Sequence, residues 1–367
     1  MKYRRGRINW ATISSIWTLL ICLLVQAFLY IKGWDAPTTI LWGILGIFLG
    51  VQMIWDYMGG YVIPEKYGQN LLKNPNQWLG RYGRAMGIYL LYYGLNGYMF
   101  MLIGQTLGIW GSVSWAAVQM LLLMGFRQYI ARGMHPFKVR YENNRGRLVF
   151  YMDTDDRGFT GGISGIPGQE SIIFPEYWSK KFKSEEADAL LSMRHGALNI
   201  GGHGKGFFLL WVIHSALIAL STWLSPEPVG TFEWLIGIIS LYTILMAIAS
   251  LGLIPMLNRK GILQMDRWLY YKKVDAGIIR KAIEESRRLQ NDLSSSSQES
   301  KGIPKLIQVT PTLQNRMDAL SVQKDLKGNY YIFPDWVFLS WAGMSLINRS
   351  FQGSLGMPAR WIFYPGE

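Results

Sequence analysis

The sequence predicts a mainly α-helical, polytopic membrane protein of about six transmembrane helices that carries a small α+β cytoplasmic domain. Three observations predict it. Half of the 367 residues are hydrophobic, and they gather in runs of about 20, the length that crosses a bilayer's hydrocarbon core. Only 17% are charged, where a soluble domain carries about a quarter. The 16 Trp and 20 Tyr suit the lipid–water interfaces, where amphipathic rings settle.

The elements follow in order. "MKYRRGR" leads into "ISSIWTLLICLLVQAFLYI", which predicts a first span over about 9–31. It has no small-residue cleavage pattern, so it reads as a retained signal-anchor helix. A Gly-rich second span covers about 38–58 and holds Asp56 near its end. The third and fourth, about 86–106 and 110–131, are separated by a tight turn at "GIWGSVSW". The fifth is about 206–224 and the sixth about 233–256. The chain therefore divides into an N-terminal membrane domain (1–131), a first extramembrane part (132–205), a two-helix membrane hairpin (206–256) and a second extramembrane part (257–367). That last part contains a polar linker, "NDLSSSSQESKG", at about 291–302, expected to be flexible, and an aromatic tail.

Charge gives the orientation. Lys2, Arg4, Arg5 and Arg7 precede the first span, and Lys66, Lys73, Arg81 and Arg84 follow the second. The long segment after the fourth carries Arg132, Lys138, Arg140, Arg145, Arg147, Lys180, Lys181 and Lys183. The opposite loops hold only Lys32 before Asp35, and Glu227 and Glu233. The positive-inside rule then puts both termini and the large loop on the cytoplasmic side of the membrane, which is expected to be a bacterial inner membrane. The net charge of +13 is explained by that distribution, so no nucleic-acid partner is expected. The expected partners are the lipid bilayer and other membrane-protein subunits. The single cysteine, Cys22, lies in the first span, which excludes an intramolecular disulfide and a Cys-based metal site.

Outside the spans, "FKVRYENNRGRLVFYMD" alternates and predicts a hairpin turning at Asn143-Asn144. "SEEADALLSMRHGALNIGG" predicts a helix with Ser184 as N-cap and Glu185 and Glu186 in its first turn. "AGIIRKAIEESRRLQ" predicts another. The tail's apolar run in "FPDWVFLSWAGMSLI" is about 13 residues, too short to span, and predicts a buried core helix or one lying on the membrane surface.

The order of these pieces matters. A helix opening Ser-Glu-Glu and carrying His195 runs into a two-span hairpin, and "NRKGILQMDRW" and then "VTPTLQNRM" follow. This resembles the membrane-embedded zinc metallopeptidases of the HtpX and CAAX prenyl endopeptidase family, over about residues 155–320. That family's metal helix reads S-x-x-E-x-x-x-x-x-x-H-E-x-x-H, two spans follow, an E-x-D element supplies a third ligand, and a T-H-P-x-x-x-x-R segment lies downstream. The resemblance implies a zincin-like cytoplasmic domain. It matches His195 to the first zinc ligand, Gly196 to the general-base Glu, and Asn199 to the second His. Gln264 replaces the ligand Glu while Asp266 is kept, and Thr310 replaces His while Pro311 and Arg316 are kept.

The chemistry of those replacements points one way. A catalytic zinc takes three protein ligands and an open water position, and amide oxygens are poor zinc partners beside imidazole or carboxylate. Glycine at 196 has no side chain to act as a base, a loss of about 10²–10⁴ in rate by itself. No catalytic residue, metal or cofactor is therefore expected, and His195 is read as a remnant held by a structural hydrogen bond. Asp266 beside Arg267 is read as a paired structural carboxylate; the resemblance implies that it orients the site.

Other features have plainer readings. His203, among the glycines of "IGGHGKG", is expected at a helix break and solvated. His214, inside the fifth span, is a functional candidate, with a hydrogen bond to Ser215, Thr222 or a facing helix as the alternative. Arg84 and Arg127 are expected to snorkel to the interface. "GFTGGISGIPGQ" lacks the Gly-Lys-Ser/Thr of a phosphate loop. In the resembling family the strand before the metal helix is an edge that pairs with peptide, so residues 170–178, "ESIIFPEYW", are the candidate peptide or partner strand; a strand in a small sheet is the alternative. The leading expectation is a non-catalytic, metalloprotease-like scaffold, accessory subunit or regulator of a membrane complex. The alternatives are an active membrane zinc protease in membrane-protein quality control, and a channel or transporter. The spans' few charged residues weigh against the last.

Overall fold

The computed structural model describes residues 2–32, 38–68, 74–154, 159–289, 311–321, 330–333 and 336–363. Five helices are long and apolar enough to cross a membrane. The first is Lys2–Lys32 (α1). Thr38–Tyr57 (α2) runs through a π-helical turn, Met58–Val62, into Ile63–Lys66 (α3), so this rod outlasts its predicted end at 58.

The third is a 60-residue element, Pro75–Met134 (α4). A straight helix of that length would reach about 90 Å, three hydrocarbon cores end to end. It does not stay straight. Gly108 adopts φ 64°, ψ −157°, a conformation open to glycine, and the chain folds back on itself. Trp115 Nε1 donates to Asn96 Oδ1 at 2.7 Å, Tyr92 Oη to Gln119 Oε1 at 3.3 Å, and Arg84 Nη2 to the Arg132 carbonyl at 3.4 Å. The residues predicted as the third and fourth spans are thus the two legs of one hairpin. Its start is set by Asn74, whose side chain accepts from Gln77 N–H before Pro75.

The α+β part follows. Its strands are Lys138–Asn144 (β1), Arg147–Asp153 (β2), Gly162–Ser164 (β3) and Ser171–Pro175 (β4), in spatial order β1-β2-β4-β3. Asn144 pairs with Arg147, so the hairpin turns at Arg145-Gly146 and not at Asn143-Asn144. Both turn residues have positive φ, 52° and 77°, as a two-residue turn matched to strand twist requires, and Gly146 meets that at no steric cost. The sheet is covered on both sides. Val149 and Tyr151 join one core and Phe150 and Met152 the other, which is why β2 buries four successive residues.

Glu176–Lys181 (α5) leads to Ser184–Asn199 (α6). The Glu186 carboxylate accepts from the Lys183 N–H at 3.4 Å, so the cap lies one residue before the predicted Ser184. Gly201 turns the chain at φ 68° into Gly202–Leu224 (α7), and Phe232–Leu251 (α8) returns. The sixth span, predicted to 256, stops at Leu251; Gly252 redirects the chain into Leu253–Tyr271 (α9). Ala276–Leu289 (α10) and Leu313–Ser321 (α11) complete this part. The predicted flexible linker, 291–302, lies outside the described residues.

The tail departs from expectation. Trp336–Leu339 (α12) passes into a 3₁₀ turn, Ser340–Gly343, rather than one long helix, and ends at Met344 with φ 57°. Residues 336–345 are all buried. The tail packs against the helical bundle. Tyr93 Oη donates to the Ser345 carbonyl at 2.9 Å, Leu346 N–H to Thr243 Oγ1 at 3.2 Å, and Ser14 and Ser350 hydroxyls meet at 2.6 Å. Gly356 N–H donates to Asp56 Oδ1 at 2.9 Å, and Ala359–Ile362 (α13) closes the fold. Arg127 does not snorkel. It is 1% exposed, donates to the Ile163 carbonyl at 2.5 Å and to the Ile362 carbonyl at 2.6 Å, and lies over the Phe363 and Phe338 rings.

Candidate functional site

The predicted site residues come from three helices. α6 brings His195, Gly196 and Asn199, α9 brings Gln264 and Asp266, and α11 brings Arg316. α6 packs on α9, and α9 on α11. Thr310 lies outside the described residues.

His195 is 2% exposed. Burial holds its imidazole below the ordinary pKa, and the charges of Arg145 and Arg147 push the same way. The neutral ring results, and its Nε2 has no hydrogen-bond partner among the described residues. The structural hydrogen bond expected of His195 is therefore not made through Nε2 among the described residues. Arg145 reaches the same helix face instead, donating to Ser192 Oγ at 3.0 Å, one turn before His195.

Position 196 is closed by packing. A Cβ there would lie 2.9 Å from Trp268 Cε3, 3.2 Å from Cζ3 and 3.5 Å from Met265 Cγ. The space that a glutamate would need is filled by an indole from α9. Asn199, one helical turn after His195, is exposed. It is the last residue of α6, where the chain turns away through Gly201, so its amide does not join His195 in a buried pair. Gln264 is 8% exposed, with Oε1 buried and unpartnered among the described residues.

Asp266 and Arg316 do meet. Arg316 Nε donates to Asp266 Oδ2 at 2.7 Å and Nη2 to Oδ1 at 2.5 Å, with both residues buried. This two-bond arrangement is the strong form of a carboxylate–guanidinium pair. It corrects the expected pairing with Arg267, which donates to the Ala319 carbonyl at 3.4 Å. Fifty residues separate the partners in sequence, and the fold unites them.

The donors present do not fit a catalytic zinc. At the matched positions the three helices offer one imidazole, one buried amide, one exposed amide, and a carboxylate already held by a guanidinium. Among the described residues no three His, Cys, Asp or Glu side chains group to hold a metal. Zinc wants three imidazole, thiolate or carboxylate donors and a free fourth position.

The candidate partner strand is not at an edge. β4 pairs with β2 through Val149↔Ile172 to Met152↔Pro175, and with β3 through Gly162↔Ile173 to Ser164↔Ser171. It is paired on both sides at Ile172 and Ile173, so an added strand has no place there. Of the other histidines, His203 is buried at 1% exposure and not solvated, because it lies in the first turn of α7 against the core. His214 Nδ1 meets Tyr242 Oη of the facing helix α8, the hydrogen-bonded alternative.

Sequence reasoning missed Trp268. It lies four residues after Gln264 on the same face of α9, but nothing local says that this face meets Gly196. Gly206 and Gly261 were missed for the same reason; each faces a segment far away in the chain.

Five helices long and apolar enough to cross a membrane are thus joined to a small four-stranded sheet. The crystal structure of S. mikatae Ste24p shares the fold, with a TM-score of 0.62 over 83% of this chain and 80% of that chain, at 15% identity. No family model and no curated protein sequence matches this chain.

Proposed function

We propose that this chain is a non-catalytic, HtpX-like membrane protein, a pseudoprotease, that serves a larger membrane assembly as scaffold, accessory subunit or regulator. One observation carries the proposal. At the position where the resembling family holds its general base, the chain has glycine, and Trp268 occupies the space beside it. The Ste24p-like fold supports descent from a membrane metalloprotease. The retained Asp266–Arg316 pair supports conservation of architecture after loss of chemistry. The chain would sit in a bacterial inner membrane, and the Lys and Arg bias of the loops supports both termini facing the cytoplasm.

The test is hydrolysis of an unfolded protein substrate by the purified chain with added zinc. No cleavage above a His195→Ala control is expected. Zinc-dependent cleavage that His195→Ala abolishes overturns the proposal in favour of a working protease.

A further inference from the structure

Residues 330–333 cross the molecule beside the degenerate site. Ile332 N–H donates to the Gly202 carbonyl at 3.0 Å, and Phe333 N–H donates to Asn258 Oδ1 at 2.8 Å. Asn258 is 3% exposed. The segment is held by its main chain, the mode by which extended peptides are recognised.

Two glycines on different helices make room for it. A Cβ on Gly206 would lie 2.1 Å from the Ile332 carbonyl oxygen, and one on Gly261 would lie 2.1 Å from the Tyr331 carbonyl oxygen. Neither distance is attainable by real atoms, so any side chain at either position displaces the segment. On α9, Gly261, Gln264, Met265 and Trp268 share one face by their spacing. Trp268 and Met265 cover Gly196, and residues 331–332 cover Gly261, so Gln264 lies between two filled places. The Ile332 side chain joins the core of Leu198, Met265 and Leu269.

We infer that the groove between the first turn of α7 and α9 is a binding site for an extended peptide, and that this chain fills it with its own residues 330–333. The segment is a strap: a peptide from another molecule reaches the groove only by displacing it. The occupant is fixed by main-chain bonds and by a β-branched side chain at 332, so the competing class is an extended apolar peptide. The inference takes its meaning from the reading of α6 and α9 as a degenerate protease site, but its test is separate. Zinc-dependent hydrolysis would overturn that reading and leave the strap standing, and a fast-exchanging strap would do the reverse.

The test uses the full chain in detergent or nanodiscs. Residue-level hydrogen exchange is expected to show the Ile332 and Phe333 amides at least about 100-fold slower than in a free peptide of the same sequence. Gly206→Ala and Gly261→Ala are each expected to speed those amides at least about tenfold while α8 stays protected. A fluorescent peptide of residues 329–336, "NYYIFPDW", is expected to bind the Ile332→Asp chain and not the wild type, and to lose that binding when Gly261→Ala is added. Free-peptide exchange rates in the wild type, or unchanged rates in both glycine variants, overturn the strap. Equal peptide binding to wild type and Ile332→Asp, including none to either, overturns it too; if Ile332→Asp does not fold, exchange alone decides.

Discussion

Gly196→Ala is the most informative single substitution. In an open helix interior it would stabilise by about 0.5–1 kcal/mol, because alanine restricts the unfolded chain and favours the helix. Here the new methyl would lie 2.9 and 3.2 Å from two carbons of the Trp268 indole, against an optimum of about 3.5–4.0 Å for carbon pairs. The ring must retreat by about 0.6 Å, and overpacking of this kind costs about 1–3 kcal/mol. The expected net effect is a loss of up to about 2.5 kcal/mol. In a Trp268→Ala background the obstruction is gone and the same change should stabilise, which gives a coupling of about 1–3 kcal/mol. Unfolding free energies of the four chains in mild detergent complete the cycle. If Gly196→Ala stabilises both backgrounds equally, the indole does not fill the base position and the reasoning fails.

Three further outcomes follow. The triple variant Gly196→Glu, Asn199→His, Gln264→Glu should show no zinc-dependent hydrolysis of a fluorogenic peptide, because Trp268 obstructs 196 and residue 199 is exposed; activity in it would contradict the described packing. Asp56→Ala leaves the buried Arg349, 3.7 Å from Asp56 Oδ2, without its carboxylate, and should cost about 3–5 kcal/mol. Proteolytic release of residues 336–363 reads that loss, and Asp56→Ala/Arg349→Met should recover most of it. For His195 the folded-state pKa is depressed below its ordinary 6.5, so the unfolded chain binds the proton first. Its stabilising contribution is full above pH 6.5 and falls as pH drops from there toward the folded-state value; unfolding scans of wild type and His195→Gln should diverge in slope in that window, and parallel slopes would contradict the burial.

Much of the membrane part was legible because one physical term dominates it. Long apolar runs fix where helices lie, and "GIWGSVSW" marked the place where α4 folds back at Gly108. The α+β part was legible in order but not in pairing. Asn143-Asn144 is the more turn-like polar pair in the sequence, but the turn falls at Arg145-Gly146 because register is set by strand partners that the sequence does not display. Burial of β4 between β2 and β3 required knowing that the three-residue β3 exists. Asp266 and Arg316 were named through a resemblance, yet their union depends on α11 packing against α9. The tail misled most. Its aromatic run signals burial, but no local pattern tells that it enters the bundle to meet Tyr93, Thr243 and Asp56.

The central claim, loss of the catalytic metal site with retention of its scaffold, is tested most directly by metal stoichiometry. The chain, purified without chelator and dialysed against zinc, would be analysed by mass spectrometry beside His195→Ala. The account predicts far less than one zinc per chain and no difference between the two proteins. One zinc per wild-type chain, lost in His195→Ala, would contradict it.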